Sequence, residues 1–233
     1  MFWDIPIIMI KKVKEKYDKL AFNDYDKSSN QYYAERRSNE ILKPICGKTL
    51  EVGAGTGLVT LKLLNKVCDI VAMDVSLSML KVLLKKNPNV KVVVGDGDHL
   101  PFKNQIFVTV VASEMVYYLD NPTLFFNDVH RVLKENGSIV ISAFSSLWKP
   151  FQTIRIALEK MNIIKVGMCD SYNKAGSNRY LVKKQLMKAD FEDVTVSGKI
   201  LLPFNSFHRI NGFLEKTILE KIGFFFIAVG KRK

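Results

Sequence analysis

The densest chemical signal in the chain is the run Leu50-Glu-Val-Gly-Ala-Gly-Thr-Gly57. Gly53, Gly55 and Gly57 are spaced GxGxG behind a short β-rich segment. Glycines at such a place tolerate backbone angles closed to other residues and let a ligand come close to the main chain. Where the loop opens a helix, the free N–H groups favour a negatively charged ligand group. A dinucleotide loop would read GxGxxG, but position 58 is Leu. The loop therefore suits a nucleoside ligand better than a pyrophosphate, with a plain strand–helix turn as the bland alternative.

Two carboxylates strengthen the ligand reading. Asp74 ends the next β-rich run, about twenty residues after Gly53, where an acidic side chain can accept from both hydroxyls of a ribose. It could instead cap the following helix, as could Ser76. Asp96, in Val94-Gly-Asp-Gly-Asp98, ends a third run, and its carboxylate could accept from the exocyclic amine of an adenine. Gly-Asp-Gly is also ordinary turn chemistry. Ligand-type residues at three consecutive strand ends are harder to dismiss than any one, because open parallel sheets bind ligands at the carboxyl ends of their strands.

The elements that must position these groups follow from patterning. Near-continuous apolar runs at 48–52, 69–74, 90–94, 107–112 and 138–142 suit parallel strands buried on both faces. Helical patterns lie between them at 57–66, 76–86 and 122–134, the last with Pro122 suited to a first turn. Strand–helix–strand alternation implies an α/β fold with a parallel sheet. Further on, 151–164 and 181–189 read as helices, 193–197 and 224–229 as strands, and 203–222 as an insert of helical potential. The first 45 or so residues read as a helical segment outside the sheet. The economical organisation is one domain, 1–233, with an N-terminal decoration, a core over 46–145, and a C-terminal half over 146–233 that carries an insert near 200–222.

These motifs resemble those of the class I S-adenosylmethionine-dependent methyltransferases, in particular the small-molecule group that includes quinone methyltransferases. Glu51–Gly57 is similar to the family's first motif, Asp74-Val-Ser-x-x-Met-Leu80 to its ribose motif, and Gly95–Phe102 to its adenine-side motif. Phe107–Leu119 and Arg131–Gly137 resemble the fourth-strand motif and the turn before strand five. The departures are Val108 where the family often has Asp, Glu135-Asn-Gly137 at the turn, and Gly97-Asp98 where Ala-Glu is common. The resemblance implies a Rossmann-like seven-stranded sheet of order 3-2-1-4-5-7-6, strand 7 antiparallel, with helices on both faces. It implies S-adenosylmethionine as cofactor, released as S-adenosylhomocysteine. Its site residues would be Glu51, Gly53, Ala54 and Gly55 at the methionine end, Asp74 and Val75 at the ribose, Asp96 and Gly97 at the adenine, and Ser113 on the methyl side. It also implies that the Tyr-rich N-terminal segment folds over the cofactor as a lid.

Acceptor-side candidates are fewer. Tyr17, Phe22, Tyr25, Tyr32 and Tyr33 either face a sulfonium or pack a helix on the sheet. Of Tyr117 and Tyr118, one contacts the acceptor and one packs. His208 in the insert is a candidate general base, with Arg209 beside it to hold an acidic group, whereas His99 reads as exposed and His130 as structural. Methyl transfer needs positioning first, and a base only where the nucleophile must lose a proton at high pKa. No dyad is therefore required, and Tyr25, Tyr117 and His208 remain the catalytic candidates.

The balance of 35 Lys and Arg against 23 Asp and Glu leaves a net charge of +12. The lysines are spread along the chain, without the block of like charges that marks a nucleic-acid arm. No Asn/Asp-Pro-Pro-aromatic signature follows strand four, where Ser113-Glu-Met-Val116 stands. A small-molecule or lipid-like acceptor is therefore favoured over RNA or protein, and a non-catalytic cofactor-binding role stays open. Cys46, Cys68 and Cys169 form no CxxC, so no metal is expected, and their number suits a reducing cytoplasm. The apolar stretch at 222–229 is too short to span a bilayer.

Overall fold

A computed structural model describes residues 4–21, 31–119, 121–148, 161, 177–199 and 223–233. Apart from residue 161, the expected helix at 151–164 lies outside these residues, as do the insert at 203–222, Phe22, Tyr25, His208 and Arg209. Seven strands form one sheet: β1 (Thr49–Val52), β2 (Ile70–Asp74), β3 (Lys91–Val94), β4 (Phe107–Ser113), β5 (Leu133–Phe144), β6 (Phe191–Lys199) and β7 (Phe225–Arg232). Their order is β3-β2-β1-β4-β5-β7-β6, as the resemblance implied. The pairs β1–β2, β1–β4, β2–β3 and β4–β5 are parallel, and β7 runs antiparallel to both β5 and β6.

Among the described residues six α-helices accompany the sheet: α1 (Asp4–Ala21), α2 (Gln31–Leu42), α3 (Thr60–Leu63), α4 (Leu77–Lys86), α5 (Pro122–Val132) and α6 (Arg179–Lys188). Alternation along each strand sends side chains to opposite faces. Val110, Ala112, Ile139 and Ile141 pack with Phe125, Phe126, Val129 of α5 and Val182, Leu186 of α6 on one face. Val111, Val140 and Ile227 pack with Ile41 beside α3's Leu63 on the other. Leu80 and Leu83 of α4 join Ala54 and Ala72 in a third cluster.

Three local details differ from the sequence reading. The helix expected over 57–66 is regular only at Thr60–Leu63, because Gly57 stands at φ +87° and turns occupy the residues before it. The helix expected to reach Lys134 ends at Val132, where Leu133 is wholly buried and pairs with Phe107. Strand β5 is therefore longer than the expected 138–142, with Asn136 taking φ +59° next to Gly137. At the capping positions, Ser76 caps α4 by accepting from the Met79 N–H, and Asn121 caps α5 through Thr123 and Leu124.

Candidate functional site

The carboxyl ends of β1, β2 and β4 and the turn after β3 open onto one cleft with a cavity volume of about 160 Å³. Its walls include Glu51, Gly53, Ala54, Gly55, Asp74, Val75, Asp96, Gly97 and Ser113, every cofactor-side residue named from the sequence. The structure thus gathers residues that lie as far apart in the chain as Glu51 and Ser113.

The loop after β1 is bound to β2 by main chain. The N–H groups of Gly53 and Ala54 both donate to the Met73 carbonyl, at 2.8 and 3.0 Å. Gly53 has φ +77°, and a Cβ there would fall 2.7 Å from that of Met115, so only glycine fits without displacement. Gly55 also has positive φ, but a Cβ on it would meet nothing within 4 Å. The Asp74 carboxylate holds the loop from the other side. One oxygen accepts from the Gly55 N–H at 2.8 Å, the other from the Ser76 N–H at 2.8 Å. Burial pushes the Asp74 carboxyl above its ordinary range, against the lowering effect of those N–H donors.

Glu51 lies beneath the loop, 1% exposed, and accepts from the Thr60 hydroxyl at 2.6 Å. Burial, assisted by the charge of Asp74, raises its pKa to about 8, against the Thr60 bond and the Arg37 guanidinium. The cleft is acidic. Its ionisable walls are the carboxyl groups of Glu51, Asp74, Asp96, Asp98 and Glu114, with Arg37 the one cation among the described lining residues. This contrasts with the +12 of the chain as a whole and disposes the cleft toward a cationic ligand.

The far wall comes from the segment after β4 and from the N-terminal helices. Ser113 shares a hydrogen bond with Ser142 at 3.1 Å. Glu114 takes φ +56°, a conformation that costs energy for a residue with a side chain. Its carboxylate accepts from the Tyr117 hydroxyl at 2.8 Å and faces Arg37 of α2 at 3.9 Å. Tyr118 packs edge-on to both Tyr117 and Tyr17, with centroids 4.7 and 5.6 Å apart, and accepts from the Tyr17 hydroxyl at 2.7 Å. Both Tyr117 and Tyr118 line the cleft. One residue beyond Tyr17, Asp18 accepts from the Ser76 hydroxyl at 2.6 Å, next to Asp74. Burial opposes ionisation of Asp18, but bonds from Ser76 and Ser78 and the charge of Lys14 leave its pKa lowered. Helix α1 is therefore fastened across the opening at two points.

Arg37, Asp18 and Thr60 were not singled out by sequence reasoning. None sits in a motif, and the only hint was position in a polar N-terminal segment or on the first helix after the loop. His99 is exposed, and His130 lies edge-on to Phe191, 5.4 Å between centroids. Among the described residues no group of three or more His, Cys, Asp or Glu could hold a metal ion. No helix among them is long and apolar enough to cross a membrane.

Comparisons with known proteins agree with this geometry. The methyltransferase-domain family matches residues 50–141. An uncharacterized protein of Methanocaldococcus jannaschii is 35% identical over 237 residues, covering 94% of this chain and 90% of that one. Demethylmenaquinone methyltransferase of Streptomyces griseus is 34% identical over 108 residues, covering 46% of this chain and 47% of that one. The chain thus spans about half the length of the demethylmenaquinone methyltransferases that it matches. Among solved structures, a SAM-dependent methyltransferase of Thermotoga maritima superposes with a TM-score of 0.66 at 18% identity, covering 94% of this chain and 99% of that one. Residues 50–141, which carry the glycine loop and both strand-end aspartates, belong to the methyltransferase-domain family, and the chain shares the fold of the SAM-dependent methyltransferases.

Proposed function

We propose that the protein transfers the methyl group of S-adenosylmethionine to a small-molecule or lipid-like acceptor. The observation that carries this reading is the convergence of Gly53–Gly55, Asp74, Asp96, Gly97 and Ser113 on one acidic cleft. The cofactor supplies a methyl carbon on a sulfonium, which leaves as the sulfur becomes neutral. Gly53, Ala54 and Gly55 would flank its methionine end, with Glu51 below them as a counter-charge. Asp74 and Val75 would meet the ribose. The Asp74 oxygens accept from the Gly55 and Ser76 N–H groups, with the Val75 N–H also acting on the carboxylate, and a remaining lone pair would accept from a hydroxyl. Asp96 and Gly97 would meet the adenine, and Ser113 the methyl side. The open side of Gly55 fits such a ligand, since no atom fills the place of a side chain.

The remaining chemistry is positional. Tyr17, Tyr117 and Tyr118 form an aromatic wall that excludes water and favours a cation. Of the candidate bases, Tyr117 is the one within the described cleft, held by Glu114. We propose that residues 1–45 act as the lid of a single methyltransferase domain in the cytoplasm, with substrate choice made by the half from 146 onward. The acidic cleft disfavours a nucleic-acid acceptor, whose phosphates it would repel. The name of the Streptomyces griseus relative supports the lipid-like option.

Calorimetric titration with S-adenosylhomocysteine, with NAD as control, tests the reading. Micromolar binding of the former alone is expected. Binding of neither would favour a non-catalytic member of the fold, and tighter binding of NAD would mean a dinucleotide site.

A further inference from the structure

The outer face of α6 carries groups that the cleft does not use. The helix buries Val182 and Leu186 against the sheet, with Ala189 just beyond its end. On the opposite side Tyr180, Leu181 and Met187 are 64%, 57% and 59% exposed. Tyr180 and Met187 are two turns apart and stand on one face. Lys183, Lys184 and Lys188 are exposed around them, and the Arg179 guanidinium lies 5.1 Å from the Tyr180 ring centre. The helix contains no acidic residue. Leu147, 53% exposed, lies beside its start, because the Ser146 N–H donates to the Ser177 carbonyl at 3.1 Å. Beyond the far end Asp190 is exposed, while Glu192 pairs with Lys233 and Asp193 with Lys231.

Single exposed apolar side chains need no explanation, but here four flank one short helix among lysines that have no acidic neighbour on that helix. Water solvates the ammonium groups and not the Tyr, Leu and Met side chains, whereas phosphate groups alone would engage only the lysines. A bilayer interface takes both, with apolar bodies in the headgroup–acyl boundary and charges at the lipid phosphates. We propose that the outer face of α6, together with Leu147, docks on an anionic phospholipid surface.

The placement has a consequence. Ser177, at the start of α6, bridges Ser145, three residues past Ser142, which pairs with cleft-lining Ser113. The N-terminal end of the docking face thus shares the sheet edge on which the cleft opens. A lipid-dissolved acceptor would enter there, a consequence that rests on the methyl-transfer reading; the docking itself does not.

The test is co-sedimentation of the full chain with vesicles of phosphatidylcholine and phosphatidylglycerol in equal parts, beside vesicles of phosphatidylcholine alone. Binding to the anionic vesicles, weakened by salt, is expected. Lys183→Gln with Lys184→Gln should weaken it about 25-fold, at about fivefold per charge near such a surface. Tyr180→Ser with Met187→Ser should weaken it at least severalfold, and thermal unfolding checks that both pairs fold. No sedimentation of the wild type with anionic vesicles would overturn the proposal. Equal binding by wild type and variants would overturn the assignment to α6, and binding of a single-stranded RNA without vesicle binding would identify a nucleic-acid face instead. S-adenosylhomocysteine titration of the same preparations reads the methyl-transfer proposal separately, since neither pair lines the cleft.

Discussion

Replacing Glu51 by Gln should uncouple cofactor binding from pH. The wild-type carboxyl is buried, with Thr60 as donor and Asp74 as a like charge, and its pKa stands at about 8 instead of 4.5. At pH 7 such a group is about nine-tenths protonated. S-adenosylmethionine brings a sulfonium, an ammonium and a carboxylate, a net positive charge, and a cation in the cleft favours the Glu51 carboxylate. Binding should therefore expel close to one proton at pH 7. Affinity should rise with pH, approaching tenfold per unit below about 8, then level off. Calorimetry in two buffers of different ionisation enthalpy measures the proton count directly. The Gln variant should release markedly less, Asp74 being the remaining raised carboxyl. Stability follows the same linkage. The folded pKa lies above the unfolded one, so the contribution of Glu51 is fully present below about 4.5 and is lost as pH rises through about 8. The Gln variant escapes that loss, so its unfolding midpoint should gain on the wild type between about pH 4.5 and pH 8. A wild type whose affinity is flat over this range, with no proton released, would refute the placement of a protonated Glu51 under the ligand.

Three further outcomes follow from the geometry. Asp74→Ala should cost about 1.5–3 kcal/mol of S-adenosylhomocysteine binding, measured by calorimetry, and unchanged affinity would remove Asp74 from the ribose role. Gly53→Ala must displace Met115 at positive φ and should lower unfolding stability by about 1–3 kcal/mol. Gly55→Ala meets no atom and should spare the fold more while weakening cofactor binding, so equal stability losses at the two positions would contradict the description of the loop. Tyr17→Phe removes the bond to Tyr118 and should speed proteolysis within α1 by about two- to tenfold, with S-adenosylhomocysteine slowing cleavage of the wild type. Identical cleavage with and without the ligand would count against a lid.

The parts of the site that were readable in advance are those whose signal is local. Gly53 and Gly55 declare a backbone conformation, and Asp74 and Asp96 declare themselves by standing at the ends of apolar runs. Strand ends converge in any parallel sheet, so recognising the runs was enough to bring these residues to one edge. Ser76 and Asn121 likewise cap helices through donors only two or three residues away. Element limits were less readable where a distant partner decided them, as when Leu133 left the helical pattern to pair with Phe107.

What the sequence determined by itself was the chemistry available, a glycine loop and carboxylates at successive strand ends within a Lys-rich chain. Only the tertiary structure decided which distant groups meet. It set Arg37 of α2 against Glu114, Asp18 against Ser76, and Tyr17 against Tyr118 across 101 residues of chain. Such contacts depend on how helices outside the sheet settle on it, which no spacing encodes. The protonation of Glu51 belongs to the same category, because a carboxyl's pKa is set by the water that packing removes and the charges that folding brings near.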